Sequence, residues 1–203
     1  MRQLILLRHA HSASNAADVV SGAPPGDGLS PLGIEQARAL RDALVGVTPD
    51  LGLATELRRT QETLKLALAG TPVPSEVFAG LNEIGFGAFE GGSLGRYRDW
   101  AWATRPDAPC PGGGESRADV AARLGAALDE LLERPEHTIL AVSHALPVRY
   151  VVDAVAGLAP RCRIEAVPHA EPFRLDVAAT AVAAATLHAW SRAPRFRNAS
   201  FEG

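Results

Sequence analysis

Two histidines stand out because each closes a short apolar run and is followed by a small residue. His9 follows Leu4-Ile5-Leu6-Leu7-Arg8 and precedes Ala10; His144 follows Thr138 to Val142 and Ser143 and precedes Ala145. Runs of four to six apolar residues ending in polar ones read as strands buried on both faces that empty into loops. In open α/β sheets, ligands collect beyond the carboxyl ends of the strands. A single histidine there is more often a polar terminator, since loops are polar. A pair, one preceded by an arginine, points instead to imidazole chemistry beside a guanidinium, and the alanines leave room for a ligand to approach the backbone.

The elements that must carry these groups alternate. After the first strand, Ser30-Pro31 opens a helix, with serine as N-cap and proline in the first turn, continued by Ile34, Ala37, Leu40 and Leu44 at helical spacing. Leu51 to Ala54 reads as a second strand, and Leu57 to Leu68 as a helix ended by Gly70 and Pro72. Residues 84 to 115 break the rhythm with many glycines and prolines around Tyr97, Trp100 and Trp102, a long excursion with room for one short helix. Ser116 and Asp119 form a capping pair before Val120, Leu124, Leu128, Leu131 and Leu132, which predict a helix of about five turns. Pro147 to Ala156 reads as the next helix, and Arg163 to Val167 and Phe173 to Trp190 as strands. The expected architecture is a three-layer α/β/α sandwich with a mostly parallel sheet and an antiparallel strand at one edge, in a single domain spanning residues 1–203.

Bulk properties narrow the function. The 203 residues are 47% hydrophobic with a net charge of −3, enough for one core and too acidic for sequence-independent nucleic-acid binding. Arginine supplies nearly all the basic residues, with Lys65 the only lysine; this suits phosphate recognition but fits a compositional bias better, given the alanine and glycine content. Cys110 and Cys162 lack a CxxC spacing, and the N-terminal apolar run is too short for a signal-peptide core. No run approaches the ~20 residues of a membrane span. These features predict a cytoplasmic protein that binds neither membrane nor nucleic acid.

Leu6-Leu7-Arg8-His9-Ala10-His11-Ser12-Ala13-Ser14-Asn15 resembles the signature of the histidine phosphatase superfamily, which includes the cofactor-dependent phosphoglycerate mutases. The family usually has RHG, so Ala10 is a departure, one that leaves the histidine in place. Further segments resemble the family in order: Leu29 to Gly33 with Gln36-Ala37, Thr55 to Arg59 with Thr63, Leu81 to Gly91, Gly114-Glu115-Ser116, and Val142 to Ala145. The matches span residues 4 to about 150, and the tail carries no diagnostic motif.

The resemblance implies a metal-independent phosphatase, needing no cofactor, that acts on a small phosphorylated substrate. His9 would take the phosphoryl group covalently, with its other ring nitrogen held by a backbone carbonyl. Arg8, Arg59 and His144 would balance the charge on the phosphoryl oxygens. Glu83 would protonate the leaving group. Asn15 would offer its amide to the phosphate or cap a turn, and Ser21 and Gly22 would contact substrate. The family pattern selects Arg59 over its neighbour Arg58. His11 with His144 invites a metal site, but no carboxylate or cysteine stands at ligand spacing, so none is expected. His137, His169 and His188 read as structural or exposed. Trp100, Trp102 and Phe86 either line a leaving-group pocket or pack the excursion down. Residues 92 to 112 lack the double-arginine and diproline pattern of the mutases, which makes hydrolysis the expected outcome; a mutase, or a phosphate-binding module without catalysis, remains the alternative. The oligomeric state is open, a homodimer being one form the sequence allows.

Overall fold

A computed structural model describes residues 1–196; the last seven residues of the expected domain lie outside the described part. Its core is a five-stranded sheet in the order β3-β2-β4-β1-β5. The strands are β1 (Gln3–Arg8), β2 (Leu51–Ala54), β3 (Ser75–Val77), β4 (Thr138–Ser143) and β5 (Pro172–Asp176). The first four run parallel, and β5 pairs antiparallel with β1 at the edge.

The apolar runs fill both faces of the sheet, as their lack of polar alternation requires. Ile5, Leu7, Leu140 and Val142 pack with Leu40, Leu64 and Leu68 from α2 (Pro31–Ala43) and α3 (Arg58–Ala67). Leu4, Leu6, Ile139 and Ala141 pack on the opposite face with Leu124, Leu128, Val151 and Leu187. Those partners come from α5 (Arg117–Glu133), α6 (Ala145–Val155) and α7 (Val177–Arg192). Leu4 to Leu7 are fully buried. Truncating any one of these leucines to alanine costs about 2–5 kcal/mol.

Local signals set the helix starts. Ser30 caps α2 by accepting from Gly33 N, and Ser116 caps α5 in a capping box with Asp119. A side chain at position 33 could not be accommodated: a Cβ there would lie 1.9 Å from the His11 carbonyl oxygen. The start of α2 thus packs directly on the backbone after the first strand. The excursion holds one short helix, α4 (Leu94–Trp102), and a five-residue helix α1 (Ala13–Ala17) follows His9.

The tail departs from expectation. Residues 163 to 167 are not a strand, and of Phe173 to Trp190 only the start is extended, the rest forming α7. Asp176 caps α7, and its alanines are small enough to pack closely against α5 and α6. Alanine is the strongest helix former, so propensity should have outweighed the apolar run here. Among the described residues, no helix is long and apolar enough to cross a membrane.

Candidate active site

Strands β1 and β4 are neighbours in register, with Arg8 opposite Ser143, so the residues that follow them, His9 and His144, emerge side by side. Their ring centroids are 5.3 Å apart. The ladder continues one step further, His9 N donating to the Ser143 carbonyl at 2.9 Å.

The tautomer of His9 follows from its partners. Nδ1 lies 2.7 Å from the Ala10 carbonyl, which can only accept, so Nδ1 carries the proton. Nε2 therefore carries the lone pair, and it receives Arg59 Nε–H at 3.0 Å. Burial, then the positive charges of Arg59 and Arg8, hold the His9 pKa well below the usual histidine range. The ring is neutral at physiological pH. His144 is constrained in the same way: Arg59 donates to its Nδ1 at 3.1 Å, leaving Nε2–H to donate to Thr55 Oγ1 at 2.9 Å. Burial and the Arg59 charge depress its pKa as well.

Arg59 is the hub of this arrangement. Its side chain, 3% exposed, also donates to the Ser21 carbonyl at 2.7 Å and to Ser21 Oγ at 3.3 Å, and lies 3.5 Å from Asp27. Thr63, one turn along α3, fixes its approach: Oγ1 donates to the Arg59 carbonyl and accepts from Ala10 N. Successive helix residues diverge by about 100°, so Arg58 points outward, 66% exposed and paired with Glu62 at 2.7 Å. Arg8 donates to the Val167 carbonyl at 2.8 Å, and burial lowers its pKa to about 10, leaving it charged at neutral pH.

These groups border a cavity of about 330 Å³. Arg8, His9, Asn15, Ser21, Arg59 and Glu83 line it, together with Phe86, Tyr97 and Trp102. Glu83 accepts from Ile84 N at 3.0 Å; burial raises its pKa, against the pull of that hydrogen bond and of Arg59 and Arg8. His144 lies behind Arg59 rather than on the lining. Asn15 turns its Oδ1 to Ser12 N and Oγ, capping α1, while still bordering the cavity. Gly22 is not on the lining; its N–H donates to both oxygens of Glu90 at 3.0 Å. Of the aromatics, Phe86 and Trp102 face the cavity, whereas Trp100 packs against Phe89 and Tyr97.

Three further residues contribute, one of them, His169, in the structural role the sequence allows it. His169 is not a bystander: its Nδ1–H donates to the His9 carbonyl at 2.9 Å and its ring lies 5.7 Å from that of His9. Burial lowers its pKa to about 4. Arg98 and Arg117 also line the cavity. None had a usable signal: His169 follows an unremarkable Val-Pro pair, and the arginines lie outside the matched motif positions. Among the described residues, no group of three or more histidine, cysteine or carboxylate side chains is arranged to hold a metal ion.

Residues 4–189 match the histidine phosphatase superfamily, branch 1. The chain belongs to that superfamily. It is an enzyme of the phosphatase type, built on the histidine phosphatase fold. It is 31% identical over 166 residues to the adenosylcobalamin/alpha-ribazole phosphatase of Escherichia coli K12, covering 77% of this chain and 80% of that one. The crystal structure of the alpha-ribazole phosphatase from Shigella flexneri superposes with a TM-score of 0.74 at 27% identity, covering 86% of this chain and 90% of that one. A 2,3-bisphosphoglycerate-dependent phosphoglycerate mutase from Methylocella silvestris is 36% identical over 137 residues, 61% of this chain and 65% of that one.

Proposed function

We propose that this protein hydrolyses small phosphomonoesters through a phosphohistidine at His9, without a metal ion. The observation that carries the reading is the ring of His9, whose Nδ1–H is held by the Ala10 carbonyl so that the Nε2 lone pair meets Arg59 at an arginine-lined cavity. In the first step Arg59 Nε–H turns from Nε2 to a phosphoryl oxygen, Nε2 attacks phosphorus with the freed lone pair, and the bond from phosphorus to the ester oxygen breaks, the departing oxygen taking a proton from Glu83. The raised pKa of Glu83 suits it to hold that proton. In the second step the Glu83 carboxylate takes a proton from water, the hydroxide attacks phosphorus, and the bond from phosphorus to Nε2 breaks. Inorganic phosphate leaves and His9 returns to its starting form. Arg8 and Arg59 balance the charge on the phosphoryl oxygens throughout, while His144 and Ser21 hold Arg59 in place. Asn15 borders the phosphate position, and Gly22 acts through Glu90 rather than on substrate.

Glu83 and His9 line the same cavity, so one carboxyl group can serve both steps. A mutase, the second reading, rests on the Methylocella silvestris relative. A cytoplasmic location agrees with the two free cysteines. Acid quenching during turnover of p-nitrophenyl phosphate tests the route: the wild type should yield an acid-labile, base-stable phosphoenzyme, and His9→Ala neither phosphoenzyme nor turnover. A fully active His9→Ala would overturn it, and isomerisation of 3-phosphoglycerate without phosphate release would choose the mutase.

A further inference from the structure

The enclosed arginines divide into two groups. Arg59, Arg123, Arg134, Arg149 and Arg161 each reach a carboxylate. Among the described residues, Arg8 and Arg117 form no such ion pair, and both line the same cavity. A guanidinium withdrawn from water without an anion is costly. For Arg8 the reacting phosphoryl group supplies the missing charge. Arg117 has no such partner.

Its surroundings are those of a receptor rather than a packed core group. Arg117 stands at the start of α5 with its guanidinium 6.0 Å from the ring centroids of Tyr97 and Tyr150. One hydrogen bond, from NH1 to Tyr150 Oη at 3.2 Å, anchors it. Its Nε is buried without a hydrogen-bond partner, and so is the hydroxyl of Tyr97 beside it. Nε is closed off, and the second terminal nitrogen, which makes no hydrogen bond within the protein, is the donor left to meet an oxygen of a carboxylate or phosphate. Glu165, on the same lining, is already engaged by Arg161 at 3.3 Å and Arg149 at 3.7 Å. Phe86, Tyr97, Trp102 and Leu146 supply apolar wall to the same cavity.

We infer that Arg117 is a specificity residue that binds a second anionic group, carboxylate or phosphate, on the leaving portion of the substrate. The preferred substrate class is then a phosphomonoester with an apolar or ring-shaped body carrying an oxyanion away from the scissile phosphate. This rests on the phosphatase reading above.

Three aryl esters test it: 4-carboxyphenyl phosphate, its uncharged isostere 4-carbamoylphenyl phosphate, and 1,4-phenylene bisphosphate. A charge-assisted hydrogen bond corresponds to about 10- to 100-fold in kcat/KM. The wild type should favour at least one anionic ester over the carbamoyl ester by that factor, the carboxylate and bisphosphate arms telling the two sources apart. The ratio of anionic to carbamoyl ester should collapse towards one in Arg117→Ala and recover in part in Arg117→Lys. Reading the ratio cancels any general loss caused by loosening Tyr97 and Tyr150. Hydrolysis of all three esters by the wild type without preference, or a preference unchanged in Arg117→Ala, overturns the inference and leaves the phosphatase reading intact. Failure to hydrolyse any of the three overturns that reading as well. If Arg117→Ala does not fold, inhibition of the wild type decides: 4-hydroxybenzoate should bind about tenfold or more tighter than 4-hydroxybenzamide, and equal binding refutes a carboxylate subsite.

Discussion

Replacing Arg59 and Arg58 by alanine, one at a time, separates two neighbours of the same type by environment alone. Arg59 has five polar contacts, to His9, to Ser21 twice, to His144 and to Asp27, and its side chain is 3% exposed. Removing it deletes a charge-assisted donor at the nitrogen proposed to be phosphorylated, and leaves the Ser21 carbonyl without its donor and Asp27 without its counter-charge. Loss of one such donor commonly lowers kcat by ~10²–10³-fold, about 2.7–4 kcal/mol of barrier. Arg58 is 66% exposed and makes an i,i+4 pair with Glu62. A pair of that kind contributes about 0.3–0.5 kcal/mol to stability and nothing to the chemistry. Steady-state kcat on p-nitrophenyl phosphate should therefore fall at least ~10²-fold further for Arg59→Ala than for Arg58→Ala. Equal losses would refute the assignment.

The same variant should also move a pH profile. Burial is the main cause of the low His9 pKa and the Arg59 charge comes second. Without Arg59 the His9 pKa rises part of the way towards 6.5. The attacking form is neutral, so the acid limb of kcat/KM, which reports the free enzyme, should shift to higher pH in Arg59→Ala. An unmoved acid limb would mean that Arg59 does not face His9 in solution.

Three further outcomes are expected. Activity should survive exhaustive chelation, because Arg8 and Arg59 supply the positive charge; loss in EDTA restored by zinc or magnesium would refute a metal-free route. Glu83→Gln should slow single-turnover phosphoenzyme formation about 10²-fold more for an alkyl phosphate than for p-nitrophenyl phosphate, whose leaving group needs no proton, and an equal loss would turn attention to Glu90 or Glu115. Thermal melts should show stability falling as pH drops below 6.5, because unfolded histidines take up protons that buried His9, His144 and His169 refuse. Each contributes up to about 1.4 kcal/mol per pH unit between 6.5 and its folded pKa, less for the partly exposed His169. Glu83, raised above 4.5, acts in the opposite sense: it costs stability as pH rises from 4.5 through its folded value. Glu83→Gln should thus steepen the acid loss, and melting temperatures equal at pH 5 and pH 7 would refute the account.

Much of this site was legible because its parts sit at chain positions with strong local signals. Strand ends, a serine-proline helix opening and a capping box each constrain the backbone within a few residues, and the family motifs fall on those points. His9, His144, Arg59 and Glu83 could be named for that reason. His169 could not, since its contact with the His9 carbonyl spans 160 residues and depends on β5 folding back along β1. The tail misleads for a related cause: Val177 to Trp190 is apolar enough to suggest strands, yet its alanines favour a helix, which packs against α5 and α6. Gly22 stands beside Ser21 in sequence, yet its N–H turns to Glu90 rather than to the cavity.

The electrostatics of the cavity explain why it needs an anion at all. Two histidines kept neutral by burial cannot contribute charge, so the field at Nε2 of His9 comes from Arg59 and Arg8. Of these, Arg59 is partly offset by Asp27, whose own pKa is lowered despite burial by hydrogen bonds from Ser14 and by the Arg59 charge. Arg8 has no offset. A tetrahedral phosphoryl group arriving between them supplies the missing negative charge without displacing an internal carboxylate, so binding does not first have to break an ion pair at Arg8. Lysine in place of Arg8 would keep the charge but lose the fork that binds both the Val167 carbonyl and an incoming oxygen.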